Sequence, residues 1–284
     1  MKLAYLASDI TLPGSPNRRV DAFEHDLMME SLRMAHDAEI SDMAWSADAD
    51  WSKFDAVLIG TTWDYQDRFD EFINTLDHIR SQCPLFNPLP LIQWNAHKGY
   101  LQDLEQAGAS IIPSLWLDDP NPQQVEEAFK VLNCETIVAK RQIGASAEGQ
   151  HLIHKETPLP PLAHPMLLQP YLPTIETEGE ISFIFIGTHF SHAVLKRPAK
   201  GDYRIQSAYG GVEHIFKPNT ADIECAEQIC TLINGQALYA RIDMLRDTEG
   251  LLRVMEVELI EPYLYPEQCP KLGQRLVQAV KKAI

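Results

Sequence analysis

The chain lacks any apolar run of membrane-spanning length. Its strongest, ISFIFIG at Ile181 to Gly187, is the size of a strand. The opening MKLAYLASD is interrupted early by Ser8 and Asp9, so a secretory h-region is missing as well, and the expectation is a cytoplasmic protein. Cysteine is scarce. The five residues Cys83, Cys134, Cys225, Cys230 and Cys269 are an odd number without a CxxC pair, which argues against a disulfide framework or a zinc knuckle and for reduced thiols. Lys and Arg total 24 against 40 Asp and Glu, a net charge of −16, so the footprint for DNA or RNA is absent. Walker A and dinucleotide spacings are also missing. A histidine-rich ligand set for a metal-dependent hydrolase is not there either, since His189, His192 and His214 read as strand or loop residues.

What is present is an ordinary globular composition, 45% hydrophobic and 23% charged over 284 residues, enough for a large core or two to three lobes sharing one. KLAYLA (Lys2 to Ala7) and DAVLIG (Asp55 to Gly60) read as buried strands. Asp21 to His36 and DRFDEFINTLDHIR read as amphipathic helices, giving a small parallel α/β unit. Three prolines near residue 90 and a helix ended by Gly108 put a boundary near 92. A strand, a helix and the strand pair around TIVAKRQIGASAEGQHLI follow. From Leu167 strands dominate, with one helix among them and a basic helix at the end, which fits antiparallel sheets covered by helices. The predicted lobes are 1–92, 93–168 and 169–284.

RVMEVELIEP (residues 253 to 262) reads as a strand, yet carries Glu256, Glu258 and Glu261. Period two puts Glu256 and Glu258 on one face. The strand ARIDML precedes it across a hairpin-sized connection with Gly250. A four-residue loop, Thr248 to Leu251, would set Asp243 opposite Glu256; a two-residue loop would set it diagonally. Three ionised carboxylates on a half-buried face need a cation, and Mg²⁺ with phosphate oxygens supplies one. An exposed face with wet glutamates is the plain alternative.

Lys140 ends TIVAK before a small-residue loop, Gly144 to Gly149, whose N–H groups could close over phosphate. Lys98 lies near a helix start. Arg197 and Arg204 flank turns in RPAKGDYRIQSAYGG, where guanidinium forks suit carboxylate and phosphate.

Taken in order, FNPLPLIQWNAHKGYL, IVAKRQIGASAEGQ, LLQPYLPTIETEGE, RPAKGDYRIQSAYGG and ARIDML…VMEVELIEP, roughly residues 85 to 265, resemble the ATP-grasp superfamily, most closely the bacterial glutathione synthetase type. FDAVLIGTTWDY and FSHAVLKRPAKGDYRIQ are also similar to the branch that includes the D-cycloserine-forming ligase. The resemblance implies an α/β plus α+β architecture, an N-terminal α/β lobe followed by two α+β lobes clasping ATP. It implies that Lys98, Lys140, Gly144 and Ser146 contact the nucleotide, and that QPYL (Gln169, Tyr171, Leu172) meets the adenine with Glu180 on the ribose. It further implies Arg204 on an acyl phosphate, and Asp243, Glu256 and Glu258 on Mg²⁺. Some positions depart from the family's pattern: Glu258 for an asparagine, Gln206 for another, Ile260, Glu261 and Pro262 for TSP, and Gly60 for an arginine of the cycloserine-like branch.

The expected activity is an ATP- and Mg²⁺-dependent ligase joining a small-molecule carboxylate to an amine through an acyl phosphate. Lys140 and Arg204 are the catalytic candidates, and Asp64, Tyr65, Arg197, Arg204 and Gln206 the substrate contacts. A cyclising ligase with one substrate and a non-catalytic ATP-binding module are the rivals. No nucleic acid or membrane partner is expected, and a homodimer is compatible with the sequence.

Overall fold

A computed structural model describes residues 1–144, 147, 149–206, 209–233 and 237–284. The N-terminal lobe is a four-stranded parallel sheet in the order β2-β1-β3-β4, from β1 (Lys2–Ala7), β2 (Glu39–Ala44), β3 (Ala56–Ile59) and β4 (Leu85–Phe86). Helices α1 (Phe23–Arg33) and α2 (Phe69–Arg80) cover it, one against Met28, Met29 and Leu32, the other through Phe72, Leu76 and Ile79. The β3 exit loop is fixed by Thr61. Its carbonyl accepts from Ser8 N at 2.9 Å and its hydroxyl meets buried His25 at 2.8 Å. That loop delivers Tyr65 to the centre of the molecule.

Helices α3 (Leu89–Asn95) and α4 (Tyr100–Gln106) lead to a four-stranded antiparallel sheet, β5-β8-β6-β7, made of β5 (Leu115–Leu117), β6 (Thr136–Arg141), β7 (His151–His154) and β8 (Met166–Pro170). Its helix α5 (Pro122–Val131) has a full capping box between Asn121 and Gln124 and packs Val125, Ala128 and Phe129 on Ile137 and Leu168. A short helix α6 (Thr174–Thr177) then enters the third sheet, β11-β10-β9-β12-β13. Its strands are β9 (Glu180–Ile186), β10 (His189–Arg197), β11 (Val212–Phe216), β12 (Tyr239–Arg246) and β13 (Leu252–Glu258). Central β9 is buried along its whole length. Helix α7 (Thr220–Leu232) covers one face of this sheet, and α8 (Leu272–Ala283) the other.

The packing divides the chain at other places than the expected boundaries. Leu101, Leu104, Ala109 and Ile111, inside 93–168, belong to the core of the five-stranded sheet. The limit at 168 falls within β8. The C-terminal α8 reaches back to the first lobe, where Gly273 N donates to Ser31 Oγ at 3.0 Å and a Cβ at 273 would lie 1.9 Å from Ser31 O. The physical reason is that α8 is apolar along Leu272, Leu276, Val277 and Val280, and this stripe fills the gap between α1 and β9.

Two buried asparagines complete that union. Asn87 Nδ2 donates to Tyr239 O (3.0 Å) and Leu259 O (2.8 Å), and its Oδ1 accepts from Leu238 N (2.6 Å). Asn95 brackets β13, donating to Val257 O at 2.8 Å and accepting from Leu259 N at 2.9 Å. Among the described residues no helix is long and apolar enough to cross a membrane.

Candidate active site

The floor of the site is the β12–β13 pair. Asp243 lies opposite Glu256 and Arg241 opposite Glu258. The hairpin loop is five residues, Asp247 to Leu251, and an extra residue at Met255 bulges out of the ladder between Asp243 and Met244. The two departures from a four-residue loop offset each other, so the expected pairing is observed by another route. The bulge leaves Met255 and Glu256 both half-buried between buried Val254 and Val257, so that successive residues line the same cleft.

The sequence reading did not pick out Arg241 and Lys196, which neutralise this floor. Arg241 Nε lies 3.1 Å from each Asp243 oxygen, its Nη2 binds Glu258, and its Nη1 donates to Tyr263 O at 3.2 Å. Lys196 pairs with Glu180 and sits 3.4 Å from Asp243, while Ser182 Oγ donates to Asp243. Burial pushes the Asp243 carboxyl up, but Arg241, Lys196 and Ser182 outweigh it and hold it below the usual range. Glu256 likewise is raised by burial and lowered by more through Lys98 and Lys140; Lys98 Nζ is 2.6 Å from Glu256 Oε1 and donates to Gly144 O at 2.8 Å. Glu258 ends on the other side. Burial, with Asp243 and Glu256 beside it, pushes it up to about 7 against the pull of Arg241.

Across an open cleft stands the wall carrying Lys140, Gly144, Gln169, Tyr171 and Leu172. Lys140 has no carboxylate within ion-pair distance among the described residues, and burial pulls its pKa down. Buried Gln169 is oriented by a 3.0 Å bond to Ser114 Oγ. An apolar patch of Ile112, Ile175, Leu245 and Met255 closes one end. Glu180 is only 1% exposed and is ion-paired with Lys196 through Oε1, while its Oε2 accepts no hydrogen bond; burial, opposed by Lys196 and aided by Asp243, raises it to about 7.

The structure therefore gathers Lys98, Lys140, Gly144, Gln169, Tyr171, Leu172, Glu180, Glu256 and Glu258 around one cleft, with Tyr65, Arg204 and Gln206 also on its lining. Arg204 is held there by both oxygens of Asp202 and stacks 3.7 Å from the centre of the Tyr209 ring. Three expected contacts lie elsewhere. Arg197 is exposed and donates to Glu178 O at 3.0 Å, because its place at the end of β10 turns it outward. Asp64 accepts from Trp45 Nε1 at 2.7 Å and serves the first lobe. Asp243 is buried beneath the cleft rather than on its lining. Ser146 lies outside the described residues.

Among the described residues no three Asp, Glu, His or Cys are arranged to hold a metal ion. The expected carboxylate triad comes together on the sheet, but each member is engaged by Arg241, Lys196 or Lys98. Gly60 has a steric counterpart: a Cβ there would lie 2.1 Å from Tyr5 Cζ, so the Tyr5 ring occupies the room a longer side chain would use.

A family model described as the N-terminal domain of the D-cycloserine synthetase DcsG matches residues 5–87. The cycloserine biosynthesis protein DcsG of Streptomyces lavendulae is 25% identical over 255 residues, 80% of this chain and 82% of its own. The crystal structure of D-cycloserine synthetase DcsG superposes with a TM-score of 0.82 at 21% identity, covering 100% of this chain and 99% of that one. The ATP-grasp ligase PsnB, solved with a minimal precursor, Mg and ADP, gives 0.63 at 13% identity over 98% of each chain. The chain has the ATP-grasp fold. D-alanine–D-alanine ligase from Bacillus anthracis shares the ATP-grasp architecture at a TM-score of 0.68 and 13% identity, over 100% of this chain and 98% of that one. Within that architecture the cleft described above lies between the two antiparallel sheets.

Proposed function

We propose that the protein is an ATP-dependent ligase that forms a C–N bond between a small-molecule carboxylate and an amine, releasing ADP and phosphate. The observation that carries this reading is the meeting of two lysines, Lys98 and Lys140, with Glu256 and Glu258 in a cleft that ends in an apolar patch. The patch suits a purine face, and the backbone at Gln169 to Leu172 its polar edge. Glu180, which Lys196 engages at one oxygen only, fits a ribose hydroxyl at the other, since a buried acceptor without a donor is costly. Asp243, Glu256 and Glu258 fit Mg²⁺ by donor type, all three being hard oxygen ligands. They would hold the ion, which supplies charge neutralisation at the phosphates.

In the first step a substrate carboxylate oxygen attacks the γ-phosphorus, the bond to the ADP oxygen breaks, and an acyl phosphate forms. Lys98 and Lys140 hold the transferring phosphoryl oxygens, and fixed cations in a dry cleft act where charge develops. Arg204 and Gln206 steady the acyl phosphate. In the second step the amine lone pair attacks the acyl carbon, phosphate leaves with the C–O electron pair, and the proton lost by the amine nitrogen goes to the departing phosphate. Tyr65 contacts substrate from the first lobe. The Tyr5 ring against Gly60 supports a substrate different from that of the cycloserine-like branch at this point.

The test is release of ADP or AMP from Mg-ATP, with and without pools of amino acids and small dipeptides, with Glu256→Gln as control. Pool-dependent ADP that is lost in the variant supports the ligase, and AMP in its place overturns the acyl-phosphate route. Consumption of one substrate rather than two separates cyclisation from ligation. Tight nucleotide binding without turnover would favour a binding module.

A further inference from the structure

Of the polar side chains on the cleft, the mechanism above gives Glu261 no role and Tyr65 only an unspecified substrate contact. Tyr65 stands at the start of the turn after β3, only 5% exposed, its ring 5.1 Å from Phe72 and 6.4 Å from Phe69. It lines the cleft, and among the described residues its hydroxyl has no hydrogen-bond partner. Glu261 follows β13 between buried Ile260 and Pro262 and lines the same cleft, again with no hydrogen bond or ion pair among the described residues.

The local cations are already committed. Lys98 serves Glu256 and the Gly144 carbonyl, and Arg241 serves Asp243, Glu258 and the Tyr263 carbonyl. Glu261 therefore faces the cleft without a counter-ion of its own among the described residues. Burial, with Glu258 next in effect, drives its proton affinity well above the ordinary carboxylate value, so a cation arriving from the cleft would be strongly welcome there.

We infer that Glu261 and Tyr65 form a cation subsite that takes the ammonium group of an amino-acid-type substrate. The donor and acceptor chemistry selects that ligand over a metal ion. An ammonium carries three N–H donors, and here a carboxylate and a phenol oxygen accept two of them. Mg²⁺ asks for an octahedron of oxygens, which one carboxylate and one phenol do not begin to fill. Tyr65 and Ile260, the residue before Glu261, pack in the first-lobe core, a different cluster from the Ile112, Ile175 and Leu245 patch assigned to the nucleotide. The inference rests on the ligase reading for the identity of the cleft and adds to it the charge of the substrate.

The experiment is a saturation-transfer NMR titration of the Mg-ADP-loaded protein with alaninamide, a cation near neutral pH, and with lactamide, its neutral hydroxyl counterpart. Wild type is expected to prefer alaninamide by about tenfold, a charge-assisted hydrogen bond's worth. Glu261→Gln, which keeps the side-chain shape, should bring the two within about twofold, and Tyr65→Phe should reduce the preference several-fold, with Mg-ADP affinity unchanged in both. A wild type that does not distinguish the two amides overturns the proposal. So does a preference that survives Glu261→Gln, and so does a parallel loss of Mg-ADP affinity, which would put Glu261 in the nucleotide site. Failure of the ligase reading would show separately, as absence of ADP release with any pool.

Discussion

Asp243 and Glu256 face each other across β12 and β13 with Arg241 and Lys98 standing in as their counter-ions. Opposed carboxylates in a sheet repel, so the ligand-free floor relies on these two cations, with Lys196 beside Asp243 as a third. Removing one should be expensive. Arg241→Met is expected to destabilise the ligand-free protein by about 3–5 kcal/mol, the penalty for stranding a buried charge. Added Mg²⁺ should then recover more stability in the variant than in wild type. Urea unfolding with and without Mg²⁺ reads both, and an equal response of the two proteins would show that Mg²⁺ does not go to these carboxylates.

Glu258 makes stability depend on pH in a definite sense. Its folded pKa of about 7 lies above the ordinary glutamate value, so the folded state binds the extra proton between the two. The stability of the ligand-free protein should therefore fall as pH rises from about 4.5 to about 7. Glu180, also at about 7, acts in the same direction. Asp243 and Glu256, held low, give stability that is lost only in more acid solution. Glu258→Gln should flatten the upper limb and gain about 1–2 kcal/mol at pH 8, measured as the shift of the urea midpoint.

Gly60→Ala should cost about 1–3 kcal/mol by overpacking against Tyr5. In a Tyr5→Ala background, where the ring is gone, the same change should cost less than about 0.5 kcal/mol. A double-mutant cycle by thermal unfolding measures the coupling; additive effects would mean the ring and the glycine are independent.

Asn87→Ala should lose about 3 kcal/mol or more, because Leu238 N, Tyr239 O and Leu259 O would all be left buried and unpaired. Amide exchange at Leu238 should quicken with it. An unchanged exchange rate there would show that the asparagine is not what ties β12 to the first lobe.

Much of this was readable from the pattern of residues. The β1 strand is apolar along its length, and α2 shows a clear helical period, so both are legible from the sequence. β2 was not, because EISDMA is an edge strand with only Ile40 fully buried. β11 escapes for the same reason, its Val212, His214 and Ile215 being exposed at the other edge. α3 is hidden by its own prolines, Pro88 at the N-cap and Pro90 in the first turn, where proline is well tolerated. In the site, period two found the carboxylates. Arg241 and Lys196 could not be assigned a partner until the strand order brought β9, β10 and β12 side by side. Asn87 and Asn95 owe their roles to backbone groups more than a hundred and fifty positions away, and no local pattern reports those.

The asparagine ties and the docking of α8 join two of the three sheets closely. The parallel sheet and the five-stranded sheet share cores and hydrogen bonds, while the sheet bearing Lys140 connects through the segments at Ile112 to Ser114 and Pro170 to Leu172. A hinge motion at those two segments would make this sheet a jaw closing on a solid anvil, with the Lys98 bonds to Gln142 O and Gly144 O as its latch. Its rate of opening would then set how long product is retained, and a stiffening substitution in either segment would lengthen the dwell of nucleotide without altering how the anvil grips what is bound to it.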